Sequence, residues 1–241
     1  SRPSGSSVGR APAAAARSTG CGSLWRASRA LPARLPLAAD CGGPPWAALP
    51  MEPLRWGILG SGLICRDFVG ALKGAGPDEA RVVCVGARSK ASAQSFADAL
   101  GVERAYEGYA AVVSDPEVDI VYVGTVAQTH PELALLAIEA GKPVLVEKPL
   151  ALNAEDAAVL IARAREAKVL LVEGMWTRCF PAVCRARELL SGGEIGSVVS
   201  VTADFGWPAD PDGEHRRTVD PVSGGVAMDV AMYPVGAVLL A

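Results

Sequence analysis

Residues 54–174 alternate between two patterns of apolar and polar residues, one typical of strands and the other of helices. Short runs of apolar, often β-branched residues are typical of strands buried on both faces of a sheet, such as "LRWGIL", "RVVCVGA", "VDIVYVGT", "PVLVEK" and "VLLVEG". Longer stretches with helical spacing lie between them, such as "SKASAQSFADALG", "PELALLAIEAGK" and "NAEDAAVLIARAREAK". This alternation predicts right-handed βαβ units and an α/β fold with a parallel sheet.

The ends of the predicted helices carry residues that favour helix termini. Asn153 precedes a helix with acidic residues in its first turn, Pro131 opens another, and Gly101 follows the last residue of a third. A further helix follows the first strand and ends near Gly74. The boundaries of these elements are therefore marked in the sequence itself.

The pattern changes after Met175. It predicts a helix from about Pro181 to Ser191, a strand from 197 to 205, the polar loop "GWPADPDGEHRRTVDP", and a final helix that begins near Gly225. We interpret 175–241 as part of a substrate and dimerisation domain that follows a nucleotide-binding domain at 54–174. Because the last apolar helix is still running at Ala241, we expect the chain to be truncated at its C-terminal end.

The first 53 residues differ in composition from the rest. Residues 1–50 contain six arginines and one acidic residue, Asp40, and they show no sustained strand or helix period. Two interpretations stay open: an organelle transit peptide, which is rich in Arg and Ser, or translated leader sequence ahead of Met51, which we favour. In both cases we expect a disordered segment outside the fold.

Charge and cysteine content exclude several classes of protein. The net charge is −3 although the first 50 residues are basic, so the remainder is acidic, and this disfavours a nucleic-acid partner. The six cysteines form no CxxC pair, which indicates free thiols in a reducing compartment and no metal site. No apolar run is long enough for a membrane span. We expect a cytoplasmic protein, or an organellar one if the transit peptide is genuine.

The first candidate site is a glycine cluster, which the pattern places directly after the first strand. Gly57, Gly60 and Gly62 would let backbone N–H groups at Leu63 and Ile64 approach a pyrophosphate at a helix N-terminus. The third position of the G-x-G-x-x-G pattern holds Cys65. Turns between strands and helices favour glycine in any case, so the order strand, glycines, helix, strand carries this hypothesis.

The second candidate site follows the second strand. Arg88 and Ser89 stand where an NAD-specific site carries an acid, and an arginine there suits the 2′-phosphate of NADP. The alternative is a solvated basic helix start, but cations are unfavourable at a helix N-terminus. We predict NADP(H) as the cofactor.

A third set of candidates lies at the end of the strand "PVLVEK" and in the last helix. Lys148 follows Glu147 just past the strand, where open α/β sheets hold ligands, although a surface ion pair of the two is the alternative. Asp229 and Tyr233 are four residues apart and would share a helix face. A tyrosine that simply packs its ring is the alternative for Tyr233.

These residues carry a resemblance to a known family. The stretches "LRWGILGSGLI", "AGKPVLVEKPLALN", "EGMWTRCFPA" and "GGVAMDVAMY" resemble the Gfo/Idh/MocA oxidoreductases, and "MWTR" followed by "FPA" is most similar to their dimeric dihydrodiol and D-xylose dehydrogenase branch. The resemblance runs from about Leu54 to Ala241. It implies a Rossmann domain followed by an α/β domain with an open-faced, mainly antiparallel sheet, incomplete here.

The resemblance also implies roles for individual residues. Lys148 would contact the nicotinamide and the substrate hydroxyl, Tyr233 would be the general acid/base, and Asp229 would orient the substrate. Further residues are implied at the cofactor and at the substrate pocket; those at the cofactor are Thr125, His130 and Glu147, and those at the pocket are Trp176, Arg178 and Phe180. The chain departs from the family pattern at Cys65, at "TVAQTH", and at Ala231, where the family has glycine.

We therefore expect an NADP-dependent oxidoreductase that transfers hydride between nicotinamide and a hydroxyl-bearing carbon of a sugar or trans-dihydrodiol. Three alternatives stay open: a reductase of another polyol or ketone, a non-catalytic NADP-binding sensor, and a fragment that does not fold stably. The expected partner is a small-molecule sugar or diol, and the full-length form is expected to be a homodimer.

Overall fold

A computed structural model describes residues 52–206 and 220–241 of the chain. These residues belong to one unit, Met51–Ala241. The predicted disordered segment and most of the predicted polar loop fall on residues outside the described ranges.

The central feature is a sheet of six parallel strands in the order β3-β2-β1-β4-β5-β6. The strands are β1 Leu54–Leu59, β2 Ala80–Ala87, β3 Arg104–Glu107, β4 Ile120–Val123, β5 Val144–Val146 and β6 Leu171–Glu173. The strand order reverses between β1 and β4, which is the arrangement of a doubly wound Rossmann sheet. The prediction of an α/β fold with a parallel sheet is confirmed.

Helices connect the strands and continue beyond β6. They are α1 Leu63–Ala75, α2 Lys90–Leu100, α3 Ala110–Ser114, α4 His130–Glu139, α5 Ala154–Ala167, α6 Pro181–Ser191, α7 Val226–Asp229 and α8 Met232–Val238, with 3₁₀ turns at Ala127–Thr129 and Trp176–Cys179. The helix-end signals hold where they were predicted. The side chain of Asn153 accepts a hydrogen bond from the Asp156 N–H, and Gly101 ends α2 in the left-handed conformation.

Two apolar cores lie on the two faces of the sheet. One packs α1 and α2 against the sheet and contains Ile58, Phe96 and Tyr122. The other packs α3, α4 and α5 against the opposite face and contains Ile138 and Leu160. Both faces of the four inner strands β2, β1, β4 and β5 are therefore covered, which is why their sequences are mostly apolar rather than alternating.

Two short elements are additional to the predicted ones. Strand β3 has the sequence "RAYE", which contains no apolar run, and helix α3 is too short to show a helical period. β3 forms because its backbone pairs with β2, and Arg104 at its start bonds the carboxylate of Asp115 at 3.1 Å. Tertiary pairing decides this part of the fold, and local propensity does not.

The region after β6 contains two differences from prediction. The strand expected at 197–205 is wrong: these residues have no regular secondary structure, and Val199 is 96% exposed. A strand needs a neighbour to satisfy its backbone, and the described residues include none beside this segment. The final helix is interrupted between α7 and α8, because Pro234 has no N–H to bond the carbonyl of Val230.

None of the helices in the part of the chain that the structure describes combines the length and the apolar character needed to span a bilayer.

Candidate active site

The loops that follow β1, β2, β4 and β5 meet at the carboxyl edge of the sheet. The Gly60 N–H bonds the Gly86 carbonyl at 2.9 Å, and the Gly124 N–H bonds the Leu59 carbonyl at 3.0 Å. On the far side, the Glu147 N–H bonds the Val123 carbonyl at 2.9 Å. These contacts bring the predicted nucleotide turn and the segment with Lys148 to one crevice, at the reversal of strand order where such sheets hold ligands.

The turn after β1 has the geometry of a phosphate-binding loop. Gly60 has φ of 120°, and a Cβ atom there would lie 2.9 Å from the Gly124 carbonyl oxygen, so only glycine fits. Gly62 is the exposed N-cap of α1 and makes no side-chain cap. The backbone N–H groups of Leu63 and Ile64 in the first helical turn are thus available to an anion such as a pyrophosphate.

Gly57 lies elsewhere than predicted. It is inside β1 rather than after it, and a Cβ atom there would lie 2.7 Å from Val112 Cγ1 and 3.0 Å from Val118. Glycine is needed at this position so that α3 and the following loop can pack on the strand. The placement of Gly57 in the nucleotide turn is therefore corrected.

Cys65 occupies the third position of the glycine pattern. Its side chain is completely buried, and its thiol donates to the Gly124 carbonyl at 3.2 Å. Burial raises the pKa of this thiol to about 12, so it stays protonated. Cys65 is a packing residue between α1 and the end of β4, and it leaves the turn itself unobstructed.

The residues after β2 lie beside the glycine turn. Arg88 is exposed, immediately past the last residue of β2. The Ser89 hydroxyl caps α2 by accepting a bond from the Ser92 N–H at 3.3 Å. The Ser89 hydroxyl is therefore occupied at the start of α2, whereas Arg88 is exposed at the carboxyl end of β2.

Lys148 and Asp229 form an ion pair between the end of β5 and the end of α7. The Lys148 Nζ donates to the Asp229 carbonyl oxygen at 2.7 Å and to Asp229 Oδ1 at 3.1 Å. Their side chains are 18% and 15% exposed. Two residues 81 positions apart in sequence thus meet in a partly buried pair, and the ammonium is held at the crevice.

Tyr233 lies next to this pair on α8. The Lys148 Nζ is 5.7 Å from the centroid of the Tyr233 ring, which places the ammonium at the ring face. The Tyr233 hydroxyl accepts a hydrogen bond from the indole N–H of Trp176 at 2.7 Å. The ring of Phe205 lies 4.9 Å from that of Tyr233, and Phe180 lies 5.3 Å from Trp176. An aromatic wall therefore surrounds the phenol.

Glu147 is held beneath the site by a residue that sequence reasoning missed. The Tyr122 hydroxyl donates to Glu147 Oε1 at 2.8 Å, and the Lys148 N–H donates to Glu147 Oε2 at 3.2 Å. Burial raises the pKa of Glu147 and that of Tyr122. The signal in the sequence was a phenol inside the otherwise aliphatic strand "IVYV".

His130 is buried behind the crevice and connects two of its loops. It is 1% exposed, with Nδ1 2.7 Å from the Pro149 carbonyl oxygen and Nε2 3.4 Å from the Thr125 carbonyl oxygen. Burial lowers the pKa of His130, which keeps the imidazole neutral, so Nδ1 carries the hydrogen that donates to Pro149. Thr125 also contacts Thr129 through its hydroxyl at 2.8 Å.

The predicted pocket residues are separated in the structure. Trp176 and Phe180 lie at the aromatic wall around Tyr233, whereas Arg178 lines a cavity between α6 and α8 together with Arg187 and Gly236. Among residues 52–206 and 220–241, no group of three or more His, Cys, Asp or Glu side chains could hold a metal ion.

Comparison with known proteins gives two family matches. The family described as an oxidoreductase family with an NAD-binding Rossmann fold, GFO/IDH/MocA, matches residues 54–175. The GFO/IDH/MocA C-terminal domain matches residues 183–240.

Individual relatives are similar over three quarters of the chain. The trans-1,2-dihydrobenzene-1,2-diol dehydrogenase of Danio rerio is 42% identical over 78% of this chain and 55% of its own length, and that of Homo sapiens is 37% identical over 76% and 54%. The crystal structure of a 3-ketoreductase from Actinomadura kijaniata, in complex with NADP and TDP-benzene, is 35% identical, with a TM-score of 0.68 over 78% of this chain and 57% of that one. The chain spans about half the length of the curated relatives it matches.

Proposed function

The chain belongs to the GFO/IDH/MocA oxidoreductase family, and from this premise we propose that its protein is an NADP-dependent dehydrogenase of sugars or trans-dihydrodiols. The proposed reaction is reversible hydride transfer between a hydroxyl-bearing carbon and the nicotinamide. The relatives named trans-1,2-dihydrobenzene-1,2-diol dehydrogenase support this substrate class. The NADP bound to the related 3-ketoreductase supports the cofactor.

The observation that carries the proposal is the assembly of Lys148, Asp229 and Tyr233. The ammonium of Lys148 is fixed by Asp229 at 2.7 and 3.1 Å and stands at the face of the Tyr233 ring. A protein that only binds the nucleotide has no need to hold an ion pair and a phenol together at the crevice. Such an arrangement suits proton transfer at a substrate hydroxyl.

The nucleotide turn fits a dinucleotide phosphate. Gly60 keeps the turn free of side-chain atoms, the exposed start of α1 has no side-chain cap, and Arg88 is exposed after the neighbouring strand. The bound nicotinamide supplies the hydride acceptor when an alcohol is oxidised. These features support NADP rather than NAD as the preferred cofactor.

Three residues of the chain, Tyr233, Lys148 and Asp229, would carry out the proton transfer. Tyr233 accepts the proton of the substrate hydroxyl at its phenol oxygen as the carbon is oxidised, and returns it in the reverse direction. The Lys148 ammonium lies 5.7 Å from the centroid of the Tyr233 ring, and a positive charge beside the phenol favours its charged form. Asp229 holds the Lys148 ammonium in place and prevents it from turning away into solvent.

The test is turnover by the full 241-residue chain and by its Tyr233→Phe variant, with D-xylose and a trans-dihydrodiol as substrates. We expect NADP⁺ to bind both proteins equally, because the change removes a single hydroxyl and leaves the glycine turn and Arg88 as they are. Turnover should fall by about 10²–10⁴-fold in the variant. Arg81→Ala, an exposed change at the start of β2 and far from the crevice edge of the sheet, is the control for unspecific loss.

The outcomes separate the alternatives. Equal turnover by both proteins would remove Tyr233 from the mechanism. Selective NADP⁺ binding without turnover of either substrate by the unsubstituted chain would favour a nucleotide-binding sensor. Failure to bind either nucleotide would contradict the proposal as a whole.

We also propose that the full-length form is a homodimer in the cytoplasm. The dimer rests on the family resemblance. The location is supported by the cysteines, since those in the described ranges, Cys65, Cys84, Cys179 and Cys184, are free thiols. Sedimentation of the full-length protein and fractionation of cells test the two statements.

A further inference from the structure

The hydrogen bond between Trp176 and Tyr233 has a direction that matters for the proposed chemistry. The indole Nε1 and the phenol oxygen are 2.7 Å apart. An indole N–H can only donate, so the phenol oxygen is the acceptor. The hydroxyl hydrogen of Tyr233 therefore does not point at Trp176 and is available for another acceptor.

The indole of Trp176 extends from a closed turn and packs against the ring of Phe180. Trp176 begins a 3₁₀ turn whose backbone is closed by bonds from Arg178 N–H to the Met175 carbonyl at 3.0 Å and from Phe180 N–H to the Thr177 carbonyl at 3.2 Å. The ring of Phe180 meets the indole edge-on. A tryptophan whose ring contacts that of Phe180 thus donates to a phenol on α8.

The charged neighbour of Tyr233, Lys148, does not donate a hydrogen bond to the phenol oxygen. The Lys148 ammonium is engaged by two oxygens of Asp229 and lies over the ring of Tyr233, 5.7 Å from its centroid. The donor that reaches the phenol oxygen itself is Trp176. Hydrogen bonds become shorter and stronger when the acceptor is charged, so the bond from Trp176 is strongest when Tyr233 is a phenolate.

We propose that Trp176 is a positioning residue for proton transfer, in addition to its place in the pocket wall. Its indole N–H fixes the Tyr233 oxygen and turns the single phenol hydrogen towards the substrate oxygen. When the phenol gives up its proton in reduction, the same N–H stabilises the oxygen that is left. The catalytic part of this inference rests on the proposed function.

The bond itself is tested without any turnover, by NMR of the full chain labelled with ¹⁵N at its tryptophan indoles. The chain has five tryptophans, so five indole signals are expected, and Trp176→Phe identifies the one from Trp176. In Tyr233→Phe, the Trp176 proton should move upfield and exchange faster with water, because its acceptor is lost while the neighbouring ring remains. Tyr106→Phe, which removes a hydroxyl on the edge strand β3 that bonds Asp115, is the matched control and should leave the signal in place.

The catalytic consequence is tested by kinetics of Trp176→Phe, which keeps an aromatic ring and removes the N–H. We expect kcat to fall about 10- to 100-fold, the loss of a hydrogen bond to a charged group, while KM and NADP⁺ affinity change less than about threefold. A pocket-wall role alone would raise KM and leave kcat unchanged.

The results distinguish the failure of this inference from that of the proposed function. An unmoved Trp176 signal in Tyr233→Phe overturns the inference, and so does wild-type kcat in Trp176→Phe. Absence of turnover by the unsubstituted chain counts against the proposed function, and the NMR result then still decides whether the bond exists. If Trp176→Phe does not fold, assignment of the signals in the unsubstituted chain lets Tyr233→Phe test the same bond from the acceptor side.

Discussion

The Sγ atom of Cys65 fills the space that a side chain on Gly124 would need, since a Cβ atom built on Gly124 would lie 2.5 Å from it. The thiol donates to the carbonyl of the same glycine at 3.2 Å. In the family pattern the position of Cys65 is a glycine, which allows close packing of helix on strand. Here the glycine is Gly124, at the end of β4, and the residue with a side chain is on α1. Helix α1 can therefore still pack closely against the sheet.

Gly124→Ala should therefore destabilise the protein by about 1–3 kcal/mol, the usual cost of overpacking a core. The added methyl group meets Cys65 Sγ at 2.5 Å and the ring of Tyr122 at 2.6 Å. Gly70→Ala is the matched control, since Gly70 lies within α1 with nothing within 4 Å of its Cβ position. That control should be neutral or stabilise by up to about 1 kcal/mol. Urea unfolding measures both, and equal midpoints for the two variants would contradict the packing argument.

The sequence predicts the Rossmann part of the fold well because its signals are local. The apolar runs of β1, β2, β4 and β5 and the cap at Asn153 are read from neighbouring residues. The short strand β3 could not be read in this way, because it depends on pairing with β2 across a helix. The strand expected at 197–205 failed for the complementary reason: its apolar pattern suits a strand, but no described neighbour pairs with it.

The sequence predicts most residues of the candidate site but not the contacts between them. Lys148, Asp229 and Tyr233 do come together, although α7 and α8 are separate helices. The bonds of Tyr122 to Glu147 and of Trp176 to Tyr233 join residues 25 and 57 positions apart. No period or motif encodes such pairs, so only the folded chain reveals them. Gly57 was assigned to the wrong role because a glycine in a strand and a glycine in the next turn look alike in sequence.

Arg88→Ala should weaken NADP⁺ binding about 10- to 100-fold and leave NAD⁺ binding within about twofold. The reason is the loss of charge-assisted hydrogen bonds to a 2′-phosphate, which NAD⁺ does not carry. Arg81→Ala is the control: it makes the same change of charge at an exposed position, but at the start of β2 and so near the opposite edge of the sheet. Isothermal titration with both nucleotides measures the effect. An equal loss for NAD⁺ and NADP⁺ would mean that Arg88 does not recognise the phosphate.

The hydrogen bond between Tyr122 and Glu147 should be visible as coupling between two mutations. Tyr122→Phe leaves a buried carboxyl group without one of its donors, which we expect to cost about 1–3 kcal/mol of unfolding free energy. In the background of Glu147→Gln the same change should cost less, because a neutral amide needs the donor less than a carboxylate. A double-mutant cycle by urea unfolding at pH 7 measures this coupling. Strict additivity of the two changes would show that the charge of the Glu147 carboxylate adds nothing to the bond.

His130 should make the stability of the protein depend on pH below neutrality. Burial lowers the pKa of His130 in the folded chain, partly opposed by the bonds to the Pro149 and Thr125 carbonyls. A base with a lowered pKa binds its proton more readily in the unfolded state. Its contribution is therefore fully present above the unfolded value of about 6.5 and is lost as the pH falls through that value towards the folded one.

His130→Asn keeps an amide N–H for the Pro149 carbonyl and cannot titrate, so it isolates this effect. Between pH 8 and 5, the unfolding free energy of the unsubstituted protein should fall relative to that of the variant, by up to about 1.4 kcal/mol per pH unit below 6.5. The other histidine of the chain, His215, is present in both proteins, so its titration cancels in the difference. A difference that stays constant over this range would mean that His130 is protonated as easily in the folded chain as in the unfolded one, and that burial behind the crevice does not hold it neutral.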